Sequence, residues 1–285
     1  MKPARRVGFC YPDVEGAHDL AERLAAQARA RGAETWLATL DWQEVDLRLA
    51  EQTPGSDVLV CVGGDGTVLH ASAVASASRT PIFGVRLGRL GFLCEVTEAE
   101  AALALERVLV GDVRIEPRAM VQARCGEDEP AHALNDVVIG RRGLGHTISV
   151  GVRIDGVLIA EHRADALIIA TATGSTGYAL SAGGPILYPT SQEMVLIPVA
   201  PHLSRSNALV LPGDARVYLE VERGYEAYMT VDGQSERPMP SGTQIDVCRS
   251  PRTVDFLRLG DESQFYHNVA GRLGWLRPDH VLGRE

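Results

Sequence analysis

Lysine is almost missing from this chain: Lys2 is the only one, and every other residue among the 28 lysines and arginines is arginine. That absence excludes several common nucleotide chemistries. Walker-type NTPases need a lysine on the phosphates, and protein kinases need one on a central strand. Schiff-base catalysis also needs one, and a residue at a fraying terminus serves none of these roles. Long apolar runs are missing as well. None approaches the roughly 20 residues that span a bilayer, and the apolar part of "MKPARRVGFCYPD" is too short for a signal-peptide core. A cytoplasmic protein without a membrane partner is expected. The formal net charge of -9 argues against a nucleic-acid partner, which calls for a basic surface. Cysteine is sparse and unpaired in pattern: Cys10, Cys61, Cys94, Cys125 and Cys248 are scattered and form no CxxC. Neither a disulfide framework nor a zinc site is expected, and four of the five lie in apolar, strand-like surroundings as small reduced hydrophobes.

What is present is a globular composition, 285 residues with 45% hydrophobic, enough for one large or two ordinary domains. From Arg5 to about Pro117, strands alternate with helices. "RRVGFCY", "AETWLATL", "DVLVCV" and "PIFGVRL" read as strands. "GAHDLAERLAAQARARG", "TVLHASAVASAS" and "TEAEAALALERVLVG" read as helices, the last with Thr97 as N-cap and Glu100 placed for a capping box. Such alternation implies a parallel, Rossmann-like sheet that binds ligands beyond the carboxyl ends of its strands. After Pro117 short β-rich runs follow one another, with Asp155-Gly156 and Asp232-Gly233 as hairpin signals. One helix interrupts them near "STGYALSAGG". The expected organisation is an α/β domain over 1–117, a mostly antiparallel layered β domain over 118–260, and a helical tail over 261–285. The tail's helix, around Phe265 to Leu273, is expected to pack back on the first domain. The working site is expected in the cleft between the domains.

The stretch with most chemical content is "DVLVCVGGDGTVLH". Gly63, Gly64 and Gly66 permit a tight turn and close approach of backbone to ligand. Their N–H groups, with the start of the following helix, form an anion site. Leu69 stands where a GxGxxG fingerprint would have its third glycine. Asp65 in the middle of this turn is either a helix cap or a residue with chemistry to perform.

"GGDGT" resembles the mark of the superfamily that holds NAD kinases, diacylglycerol and sphingosine kinases and phosphofructokinases. "GRLGFL", "LNDVVIG", "TATGSTGYALSAGGPI" and "VDGQ", in that order, resemble NAD kinases in particular. The resemblance covers roughly Asp57 to Gln234. It implies transfer of the γ-phosphoryl of ATP, or of polyphosphate, to the 2′-hydroxyl of the adenosine ribose of NAD, a phosphotransferase reaction with an alcohol acceptor. Asp65 resembles the family's proton acceptor and, with Gly66, contacts NAD. Gly63, Gly64, Gly66, Thr67 and His70 would face the donor's phosphates. Asn135 and Asp136 resemble the pair on the NAD ribose and nicotinamide side. Arg163 and Asp165 occupy places near the adenine and its ribose. Thr176, Gly177, Tyr178 and Ser181 come from the long glycine–hydroxyl motif, where Ser175 offers a further hydroxyl. Ala200, Gln234, Phe92 and His146 match further ligand contacts. Mg²⁺, or another divalent ion, would be bound through the nucleotide phosphates and not by a protein metal site. The resemblance also implies a homodimer or homotetramer.

The chain departs from the family pattern at Arg86, where Asn or His is usual, at Ala172 for proline and at Gly177 for alanine. "PHLSRSN" lacks an arginine at the usual later place. Two other readings fit part of the sequence. A lipid kinase of the same superfamily leaves "TGSTGYALSAGGPI" without a reason. A non-catalytic NAD(P)-binding sensor leaves Asp65 without one, because a pure binder needs no carboxylate among phosphate-binding amides.

Overall fold

The computed structural model describes residues 1–40, 47–88, 91–143, 146–202, 207–222 and 225–275. Arg89 and Leu90 of "GRLGFL" and residues 203–206 of "PHLSRSN" lie outside the described residues. The chain divides into two units, one of Met1–Glu116 with the segment from Asp255 onward, the other of Pro117–Val254.

The first unit is built on a parallel sheet. Its strands run in the order Glu34–Leu40, Arg6–Pro12, Val58–Gly63, Ile82–Arg86, and Phe256 pairs in parallel with Ile82 at the far side. The strand Val58–Gly63 is buried along its whole length, the signature of a strand covered on both faces. Helix Ala17–Ala30 buries Leu20, Ala21, Leu24, Ala25 and Ala28, a single stripe at three- and four-residue spacing. It stops where Gly32 adopts φ +85° and the N–H of Ala33 returns to the Ala28 carbonyl. Helix Glu98–Val110 begins with the capping box expected at Thr97, whose N–H and hydroxyl both donate to Glu100 Oε2, at 2.9 and 2.7 Å. Both helices contribute to one core with Phe9, Val58, Val60, Val62, Phe83 and Val85. Each such fully buried side chain contributes about 1.5–3 kcal/mol over its exposed state. Met1 and Ala4 donate to the carbonyls of Gly111 and Leu109, which ties the N-terminus expected to fray to the end of helix Glu98–Val110. Helix Gln264–Arg272 lies in this unit and sets Arg272 on the ring of Phe92.

The second unit is two antiparallel sheets around a shared core. One has the order Leu209–Leu211, Met194–Val199, Ala166–Ala170, Asp136–Gly140, Ala227–Val231, Gln234–Met239. The other pairs Val157–Ala164, Ile148–Ile154, Arg216–Val221 and the first part of Gln244–Arg258. Val137, Ile139, Leu167 and Ile169 from the first sheet meet Val150, Val152, Val217, Leu219 and Val247 from the second. The opposite face of the first sheet, including Ile168 and Ala170, is covered by Ala179 and Leu187. Both Asp-Gly pairs form two-residue hairpins with positive φ at each position, 49° and 82° at Asp155-Gly156 and 52° and 68° at Asp232-Gly233.

Two sequence readings change. "TQIDVCR" and "TVDFLRL" are one continuous strand, Gln244–Arg258. Pro251 is tolerated inside it because it is exposed and lies beyond Cys248, where the ladder to Arg216–Val221 ends. "HALNDVVIG" is broken at Leu134–Asn135 into Ala131–Ala133 and Asp136–Gly140, for a reason that belongs to the site. Among the described residues no helix is long and apolar enough to cross a membrane.

Candidate active site

The "GGDGT" turn stands at the carboxyl end of the central strand Val58–Gly63. Helix Asp65–Ser78 starts two residues earlier than its apolar pattern suggests, with Gly64 as N-cap and Asp65 as its first residue. Asp65 is therefore not the cap. Its carboxylate reaches out of the helix instead and accepts the N–H groups of Phe92 at 2.5 Å and Leu93 at 3.0 Å. Each oxygen keeps a second lone pair, so the group remains able to accept a proton donor. Gly91 makes this approach possible: a Cβ there would lie 1.9 Å from Oδ1.

The anion-binding amides are also redistributed. The N–H of Gly64 turns inward to Thr67 Oγ1 at 3.3 Å, and a Cβ on Gly63 would sit 2.1 Å from the same oxygen. Thr67 is buried and braces the turn. The N–H groups of Asp65, Gly66 and Thr67, as the first of the helix, have no intrahelical partner. Gly66 is exposed and His70 is half-buried on the same helix. Cys94, beside Asp65, is pushed up to about 12 by burial and then by the Asp65 charge, so it stays a thiol.

In the second unit, the two motifs and the "VDGQ" hairpin come together around Asn135. Asp232, at the hairpin corner, accepts the N–H groups of Leu134 (2.8 Å), Asn135 (2.6 Å) and Asp136 (3.2 Å). Those three bonds turn the backbone out of the sheet and break the strand expected there. Thr171 donates its N–H to the Asn135 carbonyl at 2.8 Å and its hydroxyl to the Leu134 carbonyl at 2.5 Å. Gly174 lies against Asn135 so closely that a Cβ would be 2.0 Å from its carbonyl oxygen, and a Cβ on Gly177 would be 3.5 Å from its side-chain amide. Asp136 is buried. Burial first, then the Asp232 charge, raises its carboxyl to about 7, and burial raises Asp232 to about 6 against the pull of its three N–H bonds.

The other residues singled out in the sequence divide between this arrangement and a neighbouring groove. Thr176 is half-buried and donates its hydroxyl to the Thr173 carbonyl at 3.0 Å; Tyr178 and Ser181 are exposed on the short helix that follows. Ser175 is not an available hydroxyl: fully buried, it donates to Ala172 and accepts the Leu187 N–H. Gln234 opens the strand after the hairpin, and Ala200 holds φ 45° at the end of Met194–Val199. His146 and Arg163 line a groove of about 580 Å³ with Arg141, Arg142 and Tyr228. Asp165 is bound to Arg141 at 2.9 Å, and this hydrogen bond holds its carboxyl below the usual range. Asp232, Thr171, Gly91 and Arg141 were not singled out for the site. Asp232 had a signal, its hairpin corner, but a carboxylate there only becomes an organiser once three distant N–H groups face it.

An α/β unit with a carboxylate in a glycine turn, joined to a layered β unit with its own glycine–hydroxyl turn, defines a kinase fold of the "GGDGT" class. Comparison with known proteins narrows this. Residues 4–113 match the ATP-NAD kinase N-terminal domain, and residues 134–259 match the ATP-NAD kinase C-terminal domain. An NAD kinase of Dehalococcoides mccartyi is 34% identical over 275 residues, covering 94% of this chain and 96% of its own. An NAD kinase from Archaeoglobus fulgidus in complex with ATP has a TM-score of 0.75 at 26% identity, over 95% of this chain and 100% of its own. Yeast NADH kinase complexed with NADH shares the fold, with a TM-score of 0.85 at 22% identity over 98% of this chain and 91% of that one. The chain belongs to the NAD kinase family.

Proposed function

We propose that this protein transfers the γ-phosphoryl of ATP, or of polyphosphate, to the 2′-hydroxyl of the adenosine ribose of NAD. The observation that carries the reading is the Asp65 carboxylate. It is held by two backbone N–H bonds at the mouth of an amide-lined turn, not used as a helix cap. A carboxylate fixed this way accepts the hydroxyl proton in one orientation, and such general-base help is worth about 10² to 10⁴ in rate. The N–H groups of Gly66 and Thr67 meet the donor's phosphates, with His70 one turn along the same helix. On the NAD side, Asn135 offers both a donor and an acceptor to a sugar edge. Asp136, Thr176, Gly177, Tyr178, Ser181, Ala200 and Gln234 complete its contacts in the second unit, and Arg163, Asp165 and His146 take the adenine side. The Asp165–Arg141 pair means that the adenine is met by a salt-bridged carboxylate.

Among the described residues no cluster of three or more His, Cys, Asp or Glu side chains offers a cage for a metal. The reading places a divalent ion on the phosphate oxygens of the donor, the coordination that magnesium favours. When bound, that ion neutralises the phosphate chain. Assembly as a homodimer or homotetramer is part of the same proposal, supported by the exposed apolar side chains Val157, Leu158, Ile159 and Tyr218 on the second unit's sheet.

The deciding experiment incubates the purified protein with NAD, ATP and Mg²⁺ and assays NADP. Formation of NADP is expected. Binding of NAD without any NADP would instead establish a non-catalytic sensor.

A further inference from the structure

Two guanidinium groups belong to the surroundings of Asp65, and among the described residues no carboxylate is paired to either. Arg272, in the last turn of helix Gln264–Arg272, lies over the ring of Phe92 with its central carbon 3.8 Å from the ring centroid. Phe92 is the residue whose backbone N–H binds Asp65, so the stack ties the guanidinium to the carboxylate's own anchor. Arg272 nevertheless makes no ion pair with Asp65, and its Nε and Nη1 are buried without a hydrogen-bond partner. Arg86 ends the strand Ile82–Arg86 directly beside Gly63 of the glycine turn, its register partner. Arg86 and Arg258 both repel Arg272, while Asp65 attracts it. Arg86 also makes no ion pair among the described residues. Glu100, which lies within the field of Arg86, is bonded to Thr97 instead.

Buried N–H groups without acceptors are costly, and so are like charges held together. An anion with several acceptor oxygens placed between the two arginines removes both costs. The amides of Asp65, Gly66 and Thr67 at the helix start favour the same sign of charge. The chain has no lysine to do this work beyond Lys2.

We propose that Arg272 and Arg86 together bind the terminal phosphates of the phosphoryl donor beside Asp65, filling with two arginines the place that a lysine takes in Walker-type sites. The assignment rests on the kinase reading above. In the transfer step the ribose oxygen bonds to the γ-phosphorus as the bond from that phosphorus to the bridging oxygen breaks. The hydroxyl proton passes to Asp65, and the charge left on the departing diphosphate is met by the guanidinium of Arg272.

The test is direct titration of the full chain with inorganic tripolyphosphate by calorimetry, without NAD, beside ATP and NAD kinetics. Arg272→Gln should weaken tripolyphosphate binding at least about tenfold, the loss of one charge-assisted contact. Arg86→Asn should weaken it several-fold, and Arg272→Lys should fall between wild type and Arg272→Gln. The KM for ATP should rise in the same order while the KM for NAD stays put, with thermal midpoints reporting that each variant is folded. Equal tripolyphosphate affinity in wild type, Arg272→Gln and Arg86→Asn overturns the assignment, as does absence of binding by the wild type. If tripolyphosphate binding depends on Arg272 but wild type makes no NADP, the phosphate site stands and the kinase reading falls.

Discussion

Gly91 and Asp65 fit one another as a bare backbone and a carboxylate: any Cβ on Gly91 would stand 1.9 Å from Oδ1, 2.3 Å from Cγ and 2.6 Å from Oδ2. All three distances are far below contact, and a folded backbone offers the added methyl no way aside. Gly91→Ala should therefore expel the carboxylate from its two N–H bonds. Misplacement by about 1 Å costs on the order of a hundredfold in turnover. Steady-state assays should show that loss with NAD affinity little changed. Wild-type turnover in the variant would mean that Asp65 acts from another position.

Asp65→Asn keeps the shape and removes the charge that accepts the proton. Turnover should drop by at least about a hundredfold with a modest change in NAD affinity. Single-turnover measurements separate the chemical step from binding, and unchanged turnover would sink the proton-acceptor role.

Arg258 holds the segment that carries Phe92 and Leu93. It is buried, donates to the Leu93 carbonyl at 3.2 Å, and pairs with Glu95 at 2.9 Å and Glu116 at 3.1 Å. Arg258→Met removes the cation paired to Glu95 and one of the two paired to Glu116, which keeps Arg114 at 3.1 Å. Breaking a buried pair costs about 3–5 kcal/mol. Urea unfolding is the measurement. A loss under about 1 kcal/mol would show that water replaces the guanidinium without penalty.

The Asp136–Asp232 pair makes a pH prediction whose sign follows from protons bound. Both carboxyls titrate higher in the folded protein, at about 7 and about 6, than the 3.8 of a free aspartate. Across that interval the folded state binds the extra proton, so stability is fullest in acid and is lost as pH rises through neutrality. The pair shares the titration, and roughly 1–3 kcal/mol of stability is lost between about pH 4 and pH 7, from the free value up to the folded ones. Burial holds His132 and His162 low, which works in the opposite direction near their own range. The informative quantity is thus the difference between wild type and Asp136→Asn. The variant should lose most of the fall in stability, and parallel profiles would refute the shared proton.

Much of this was legible in one dimension because its causes are local. The helix Glu98–Val110 was readable from Thr97 and Glu100 because a capping box closes within four residues. The two Asp-Gly hairpins were readable because positive φ at both corners selects those residues. The family was readable from glycines and hydroxyls at fixed spacing. The broken strand at Leu134–Asn135 was not, because the acceptor of its three N–H bonds is Asp232, 96 to 98 residues away. Ser175 also looked available, since nothing local tells that Leu187 would bury it.

The sequence by itself determined that there is a glycine turn with a carboxylate inside it and almost no lysine anywhere. Those are properties of residue type and order. Whether Asp65 caps its own helix or reaches outward was decided by tertiary structure alone. The deciding partners are the N–H groups of Phe92 and Leu93, 27 and 28 residues on, and the missing side chain of Gly91 that lets them close. The same holds for Arg272. Its place along the chain does not show this; the last helix lays its guanidinium on Phe92, with Nε and Nη1 buried and without a hydrogen-bond partner.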